Sequence, residues 1–252
     1  MLPKTLIALA ASVSGVLAST PPNFKPDSQA SFLVVYGEES AANGAVIDKE
    51  LTGKAPTIAS YIKLEGTSFA VMMIDLDVPT DNPPRTDTYL NWLQTGLTQD
   101  STGSMLNITT GSQYVYVFSV PQNEGAFASY TGPDPPAKIP LTHRYTELLI
   151  DTSNASEDDL ADLKAAAATR ECFNASSVLE SVGLVDKVIA GNYFNVTNPG
   201  PVVIEAAPSP PAGNDDDGKS STPSKNPPTG EAVSQNAPLV AILMVGIAFF
   251  AL

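Results

Sequence analysis

The chain holds a single cysteine, Cys172, and a single histidine, His143, in 252 residues. One cysteine excludes an intramolecular disulfide. One Cys and one His leave a structural zinc site without a ligand set, so no metal is expected. Bases are scarce as well: 13 Lys and Arg stand against 27 Asp and Glu, a formal net charge of -14. A surface this poor in cations argues against nucleic acid, whose phosphates need neutralising. It argues equally against peripheral docking on anionic lipid. The G-x-S-x-G nucleophile elbow is missing, so a triad of His143, Asp75 and some serine has no signature behind it. No catalytic residue and no cofactor is expected; a weak hydrolase is the least favoured reading.

Both ends differ from the middle. Residues 1–18 carry Lys4 as a positive n-region, Leu6–Val13 as a short apolar stretch, and Val16-Leu17-Ala18 as a cleavage site. They read as a secretory signal, with Ser19 the first mature residue; the competing reading is a buried first helix. Residues 19–200 form the expected domain. Residues 201–236 are rich in Pro, Ser and Asp, cannot bury a core and are expected to be disordered. Residues 237–252 carry no charge, and Leu239–Leu252 is almost purely apolar. Fourteen helical residues reach about 21 Å, short of the ~30 Å hydrocarbon core, and no basic tail follows. A glycosylphosphatidylinositol attachment signal fits better than a short membrane helix. The expected location is the outer leaflet of the plasma membrane or the cell wall. Four N-x-S/T sequons, at Asn107, Asn154, Asn174 and Asn195, become candidate glycan sites in a secreted chain. Asn154 and Asn174 also fall at helix starts, where an N-cap or turn role competes.

Between the ends, short runs of β-formers dominate. Strands are expected over Ser31–Tyr36, Thr57–Leu64, Phe69–Asp75, Tyr89–Leu97, Gln113–Val120 and Tyr145–Ile150, with extended structure again in Gly183–Val196. Glu38–Gly53 reads as a polar connection with an extended piece. Gln94–Met105 is polar and rich in Gly, Ser and Thr. Ser156-Glu157-Asp158-Asp159 fits a capping box ahead of a helix to about Arg170, and a second short helix is expected over Ser176–Ser181. This is a mainly β protein, an antiparallel β-sandwich with a few peripheral helices.

The stretch from Phe69 to Leu93 organises the domain. An apolar run drives into Asp75-Leu76-Asp77-Val78-Pro79 and crosses a polar turn. It becomes apolar again through Tyr89 and Trp92. Buried carboxylates need partners: backbone donors, a ligand, or the later segment Tyr130–Tyr145. That segment reads Tyr130-Thr131-Gly132-Pro133-Asp134-Pro135-Pro136, then Leu141-Thr142-His143-Arg144-Tyr145. Plainer readings exist for each residue. Asp77 can cap a turn, His143 can be a loop histidine, and Arg144 can pair with an acid. Trp92 reads as core, and Cys172 as a buried apolar residue.

Together the two segments resemble the signature regions of the phosphatidylethanolamine-binding protein family, D-P-D-x-P and G-x-x-P-P followed by H-R-Y. The resemblance runs from about Ser31 to Val196 and, with the two terminal signals, points to a secreted member of fungal type. It implies an antiparallel β-sandwich with a small anion cleft at one end. The residues it implicates are Asp75, Asp77, Asn91, His143 and Tyr145. This chain has Leu76 where proline is usual, Asn91 where a second cleft histidine is usual, and Asp134 inside the second motif. The implied ligand is a phosphorylated small molecule or phospholipid head group. The resemblance also implies an alternative: a protein-interaction module that inhibits a serine carboxypeptidase or another protease. On the first reading the Tyr130–Tyr145 segment is the partner of the two carboxylates.

Overall fold

The computed structural model describes residues 20–42, 44–120 and 125–202. The expected leader, the expected linker from 203 onward and the expected C-terminal attachment signal lie outside the described residues. In chain order the strands are β1 (Leu33–Tyr36), β2 (Glu39–Ser40), β3 (Thr57–Ser60), β4 (Phe69–Pro79) and β5 (Thr86–Gln99). They continue with β6 (Ser104–Ile108), β7 (Gly111–Ser119), β8 (Thr142–Asp151) and β9 (Val188–Thr197). The helices are α1 (Glu157–Ala166) and α2 (Ala175–Ser181), with short 3-10 turns at Lys49–Gly53 and Val185–Lys187.

β4 is apolar without alternation because both its faces are covered. Phe69, Val71 and Met73 point into an inner cluster with Tyr36, Phe118 and Phe194. Ala70, Met72 and Ile74 point the other way, onto Leu163 of α1 and Leu179 of α2. The antiparallel strand order is β2-β1-β3-β7-β5-β4-β8-β9, with β6 paired to β7. Only two residue pairs, Thr98↔Ser119 and Gln99↔Phe118, join β5 to β7. They are the crease about which one sheet curls into two facing halves, and the inner cluster fills the space between. The expected sandwich is thus a single curled sheet whose halves face each other. At the far edge, Ala45 and Ile47 exchange backbone hydrogen bonds with Asn195 of β9 (2.8 and 2.9 Å). The segment after β2 therefore lies along the β9 edge and covers its donors and acceptors.

Several elements differ from expectation. β4 runs on to Pro79 and β5 begins at Thr86, so the polar stretch between them contains a ladder: Val78↔Asp87 and Pro79↔Thr86. Opposite Phe69–Val71, β5 carries an extra residue, and Gly96 at φ 71 provides the left-handed conformation that such a bulge needs. β6 is a strand inside the polar Gly/Ser/Thr stretch and beyond it. Its Ile108 joins a third cluster with Leu33, Val35, Ala59 and Val115, against which Leu106 packs. α1 ends at Ala166, short of Arg170, and its capping box forms as expected between Ser156 and Asp159. Trp92 sits in the inner cluster. Cys172 corrects the expectation of burial: it is exposed, at φ 54. Its thiol donates to Asp87 Oδ2 (3.0 Å), and that contact pushes the thiol up from its ordinary value.

One polar group lies deep in the inner layer. Glu147 follows Tyr145 by two residues on β8, so strand alternation points both inward. It is wholly buried. Asn192 Nδ2 donates to its Oε2 (2.7 Å) and to the Ala41 carbonyl (2.6 Å). Burial pushes Glu147 up to about 8. The Tyr36 phenol is held well above its ordinary value by burial and by Glu147.

Candidate anion cleft at the end of the sheet

Asp75 stands opposite Tyr89 on β5 and Tyr145 on β8, at the end of the inner layer. Its backbone N–H donates to Asn91 Oδ1 (3.1 Å). Its Oδ1 accepts from the Asp77 N–H (2.9 Å), and its Oδ2 lies 2.8 Å from His143 Nδ1. A carboxylate can only accept, so Nδ1 carries the proton in this bond. Asp77 is held differently. Its Oδ2 accepts from the backbone N–H of Arg144 (2.8 Å) and from Nε (2.8 Å), while Oδ1 accepts from Nη2 (2.7 Å). Burial opposes its charge, yet the Arg144 hydrogen bonds outweigh it and hold the carboxyl below its ordinary value. The two carboxylates of the first motif are therefore satisfied mainly by the second motif.

Asn91 ties the two regions together. Besides receiving the Asp75 N–H, it donates from Nδ2 to the Thr131 carbonyl (3.0 Å), and the Thr131 N–H returns to the Asn91 carbonyl (2.9 Å). The loop after Tyr130 is pressed on its other side against the Lys49–Gly53 turn. Tyr130 Oη donates to the Thr52 carbonyl (2.8 Å). A Cβ on Gly132 would stand 2.5 Å from that same oxygen, so glycine here serves a backbone-to-backbone approach. Asp134 pairs with Lys49 at the exposed end of the loop.

The result is a cleft of about 200 Å³. Asp75, Asn91, His143 and Tyr145 line it, with Tyr89 and Pro79 among its walls. Four of the five residues implicated by sequence thus converge on one space. Asp77 is not part of the lining; Arg144 occupies both its oxygens. Leu76, in the usual proline position, packs against the outer cluster. Tyr89 is the wall residue that sequence reading passed over, although its apolar neighbours on β5 signalled a sheet position. The lining contains neither serine nor cysteine, so no Ser–His–Asp relay is assembled around His143 among the described residues.

Two polar atoms in this lining, His143 Nε2 and Tyr145 Oη, make no hydrogen bond of good geometry among the described residues, although the Tyr145 phenol lies near the Asp75 carboxylate and the Asp134 backbone. Both residues are buried. Their rings stack at 6.4 Å and 25°, and Tyr145 stacks in turn on Phe194 at 5.5 Å. Burial, and then the charge of Asp75, push the Tyr145 phenol far above its ordinary value, which keeps it a donor. Each acid near the cleft faces its own partner: Asp75 with His143, Asp77 with Arg144, Asp134 with Lys49. Arg144 and Lys49 therefore balance the charges of Asp77 and Asp134, while His143 balances that of Asp75 only when its ring is protonated.

A family model described as Phosphatidylethanolamine-binding protein matches residues 37–194. No curated protein sequence matches the chain. Similar solved structures include a carboxypeptidase Y inhibitor complexed with the cognate proteinase, at 18% identity and TM-score 0.46, covering 66% of this chain and 82% of that one. The phosphatidylethanolamine-binding protein from Plasmodium vivax aligns at 18% identity and TM-score 0.45, covering 70% and 91%. That from Plasmodium falciparum aligns at 17% identity and TM-score 0.44, with the same coverage.

Proposed function

The chain belongs to the phosphatidylethanolamine-binding protein family, and from that premise we propose that it is an extracellular, surface-anchored binding module whose cleft takes a phosphorylated small molecule or phospholipid head group. One observation carries the reading: two buried polar atoms, His143 Nε2 and Tyr145 Oη, line one cleft, and neither makes a hydrogen bond of good geometry among the described residues. With both ring nitrogens protonated, Nε2 is a charged donor to phosphate oxygen, and the Asp75 carboxylate on Nδ1 balances the imidazolium. Asp75 orients the ring, Asn91 holds the loop, and the apolar walls exclude water around the contact.

The location and modifications belong to the same proposal. The leader and the C-terminal signal would place the domain outside the cell on a lipid anchor. Asn107, Asn154 and Asn174 are exposed; Asn195 is half-buried and its Nδ2 donates to the Gly44 carbonyl (2.7 Å). Calorimetric titration with phosphorylethanolamine tests the cleft. Binding should be lost in His143→Ala and weakened about tenfold or more in Tyr145→Phe, which removes one donor and keeps the stacked ring. Equal binding by all three proteins would refute it. The inhibitor reading is separated with the same preparation, since an inhibitor suppresses carboxypeptidase activity at equimolar protein and a head-group module does not.

A further inference from the structure

The β6–β7 hairpin has one covered face and one open face. Leu106, Ile108 and Val115 pack inward on the third cluster. Strand alternation turns Met105, Asn107, Tyr114 and Tyr116 outward. Met105 lies directly opposite Tyr114, and Asn107 directly opposite Ser112. Met105 is 61% exposed and Tyr114 54% exposed, an unusual pair of large apolar side chains to leave open side by side. Tyr114 is also fixed in place. Its ring sits against the Gly103 backbone, where a Cβ would meet ring atoms at 2.6 Å, and Tyr116 packs edge-on to it at 6.0 Å.

Asn107 opens the sequon Asn107-Ile108-Thr109 on this same face. Its Oδ1 accepts from Ser112 Oγ (2.6 Å), which fixes the amide plane and leaves Nδ2 as the outward atom. We propose that Asn107 is N-glycosylated and that the first N-acetylglucosamine lies over Tyr114 and Met105, so that the open apolar face of the hairpin is the seat of the protein's own glycan. In the transfer, Nδ2 loses a proton and forms a bond to the anomeric carbon of a lipid-diphosphate-linked oligosaccharide, and the lipid diphosphate departs. The geometry suits the contact. Tyr114 is the diagonal cross-strand neighbour of Asn107, roughly 7–8 Å away, one sugar ring distant. The apolar C–H face of the sugar then covers the ring, whose amphipathic character fits a surface that is half sugar and half water. Of the other exposed sequons, Asn174 caps α2 by accepting from the Ser177 N–H (3.0 Å), and Asn154 precedes α1.

This inference rests on the secreted, glycosylated reading, and the experiment separates the two. The full chain is produced in a eukaryotic host through the secretory route and in bacteria. Occupancy is mapped by enzymatic deglycosylation in heavy-oxygen water, which marks each former site as Asp. Thermal midpoints are then compared for wild type, Asn107→Gln, Tyr114→Ala and the double variant from both hosts. Occupied Asn107 is expected, with Asn107→Gln lowering the midpoint by about 2–4 °C in the glycosylated protein. The excess loss should vanish in the Tyr114→Ala background and in the bacterial protein, where the Ser112 contact is the only thing removed. Sugar on Asn154 and Asn174 with Asn107 empty overturns this inference and spares the glycoprotein reading. No sugar at any sequon overturns both. Occupancy with equal losses in both backgrounds overturns the stacking.

Discussion

Replacing Glu147 with Gln should stabilise the protein by about 3 kcal/mol at pH 7 and leave it unchanged at pH 4. Glu147 is fully buried on the inner face of β8, and its carboxyl is pushed from 4.5 up to about 8. Folding thus holds a proton that the unfolded chain releases above pH 4.5. The contribution is complete below pH 4.5 and declines as pH rises through about 8, at about 1.4 kcal/mol for each unit. The rise from 4.5 to about 8 corresponds to about 5 kcal/mol in all, of which about 3 has been lost by pH 7. Glutamine cannot ionise, keeps the carbonyl that accepts from Asn192 Nδ2, and has nearly the same shape. Urea unfolding of both proteins at pH 4, 5.5, 7 and 8.5 measures the difference directly. Acids with depressed values, Asp77 among them, lose stabilisation as pH falls, but they do so equally in both proteins and cancel. The two stabilities should coincide at pH 4 and diverge steadily to pH 8. Parallel profiles would show that Glu147 is not held protonated by the fold.

Gly132→Ala forces a Cβ to 2.5 Å from the Thr52 carbonyl. It should weaken phosphorylethanolamine binding about tenfold with a much smaller effect on global unfolding, read by calorimetry and urea melts. Asp77→Ala removes three hydrogen bonds to Arg144, whose side chain is 44% exposed. Solvent screening on the arginine limits the cost to about 1–2 kcal/mol, and the loss should shrink below pH 4 as Asp77 protonates in the wild type. Ser156→Ala dismantles the capping box and should cost about 1 kcal/mol by denaturant titration, with ligand binding unchanged.

What could be read in the sequence was what short spacings determine. The capping box needs only four residues, and it is there. The continuous apolar run of β4 announced a strand covered on both faces. The two motif regions, read together, brought Asp75 and His143 into one cleft. The parts that stayed hidden depend on distant partners. β6 contributes only Leu106 and Ile108 to a core, and its polar neighbours masked it. The ladder at Val78 and Pro79 exists because β4 and β5 continue pairing beyond their apolar residues. Asp77 read as a cleft residue because it is two residues from Asp75; a register shift between Asp75 and Val78 sends it to Arg144 instead. Glu147 was visible only as a position in phase with Tyr145 and Leu149. Its burial required knowing that β9 brings Asn192 beside it.

The central claim is that His143 Nε2 receives a phosphate group. Because His143 is the only histidine in the chain, its ring nitrogens give the sole imidazole signals in a 15N spectrum. Titration with phosphorylethanolamine to millimolar concentration at pH 7 should move the Nε2 signal as it gains a hydrogen bond to phosphate, while Nδ1 stays bonded to Asp75. Both ring signals unmoved at saturating ligand would contradict the account.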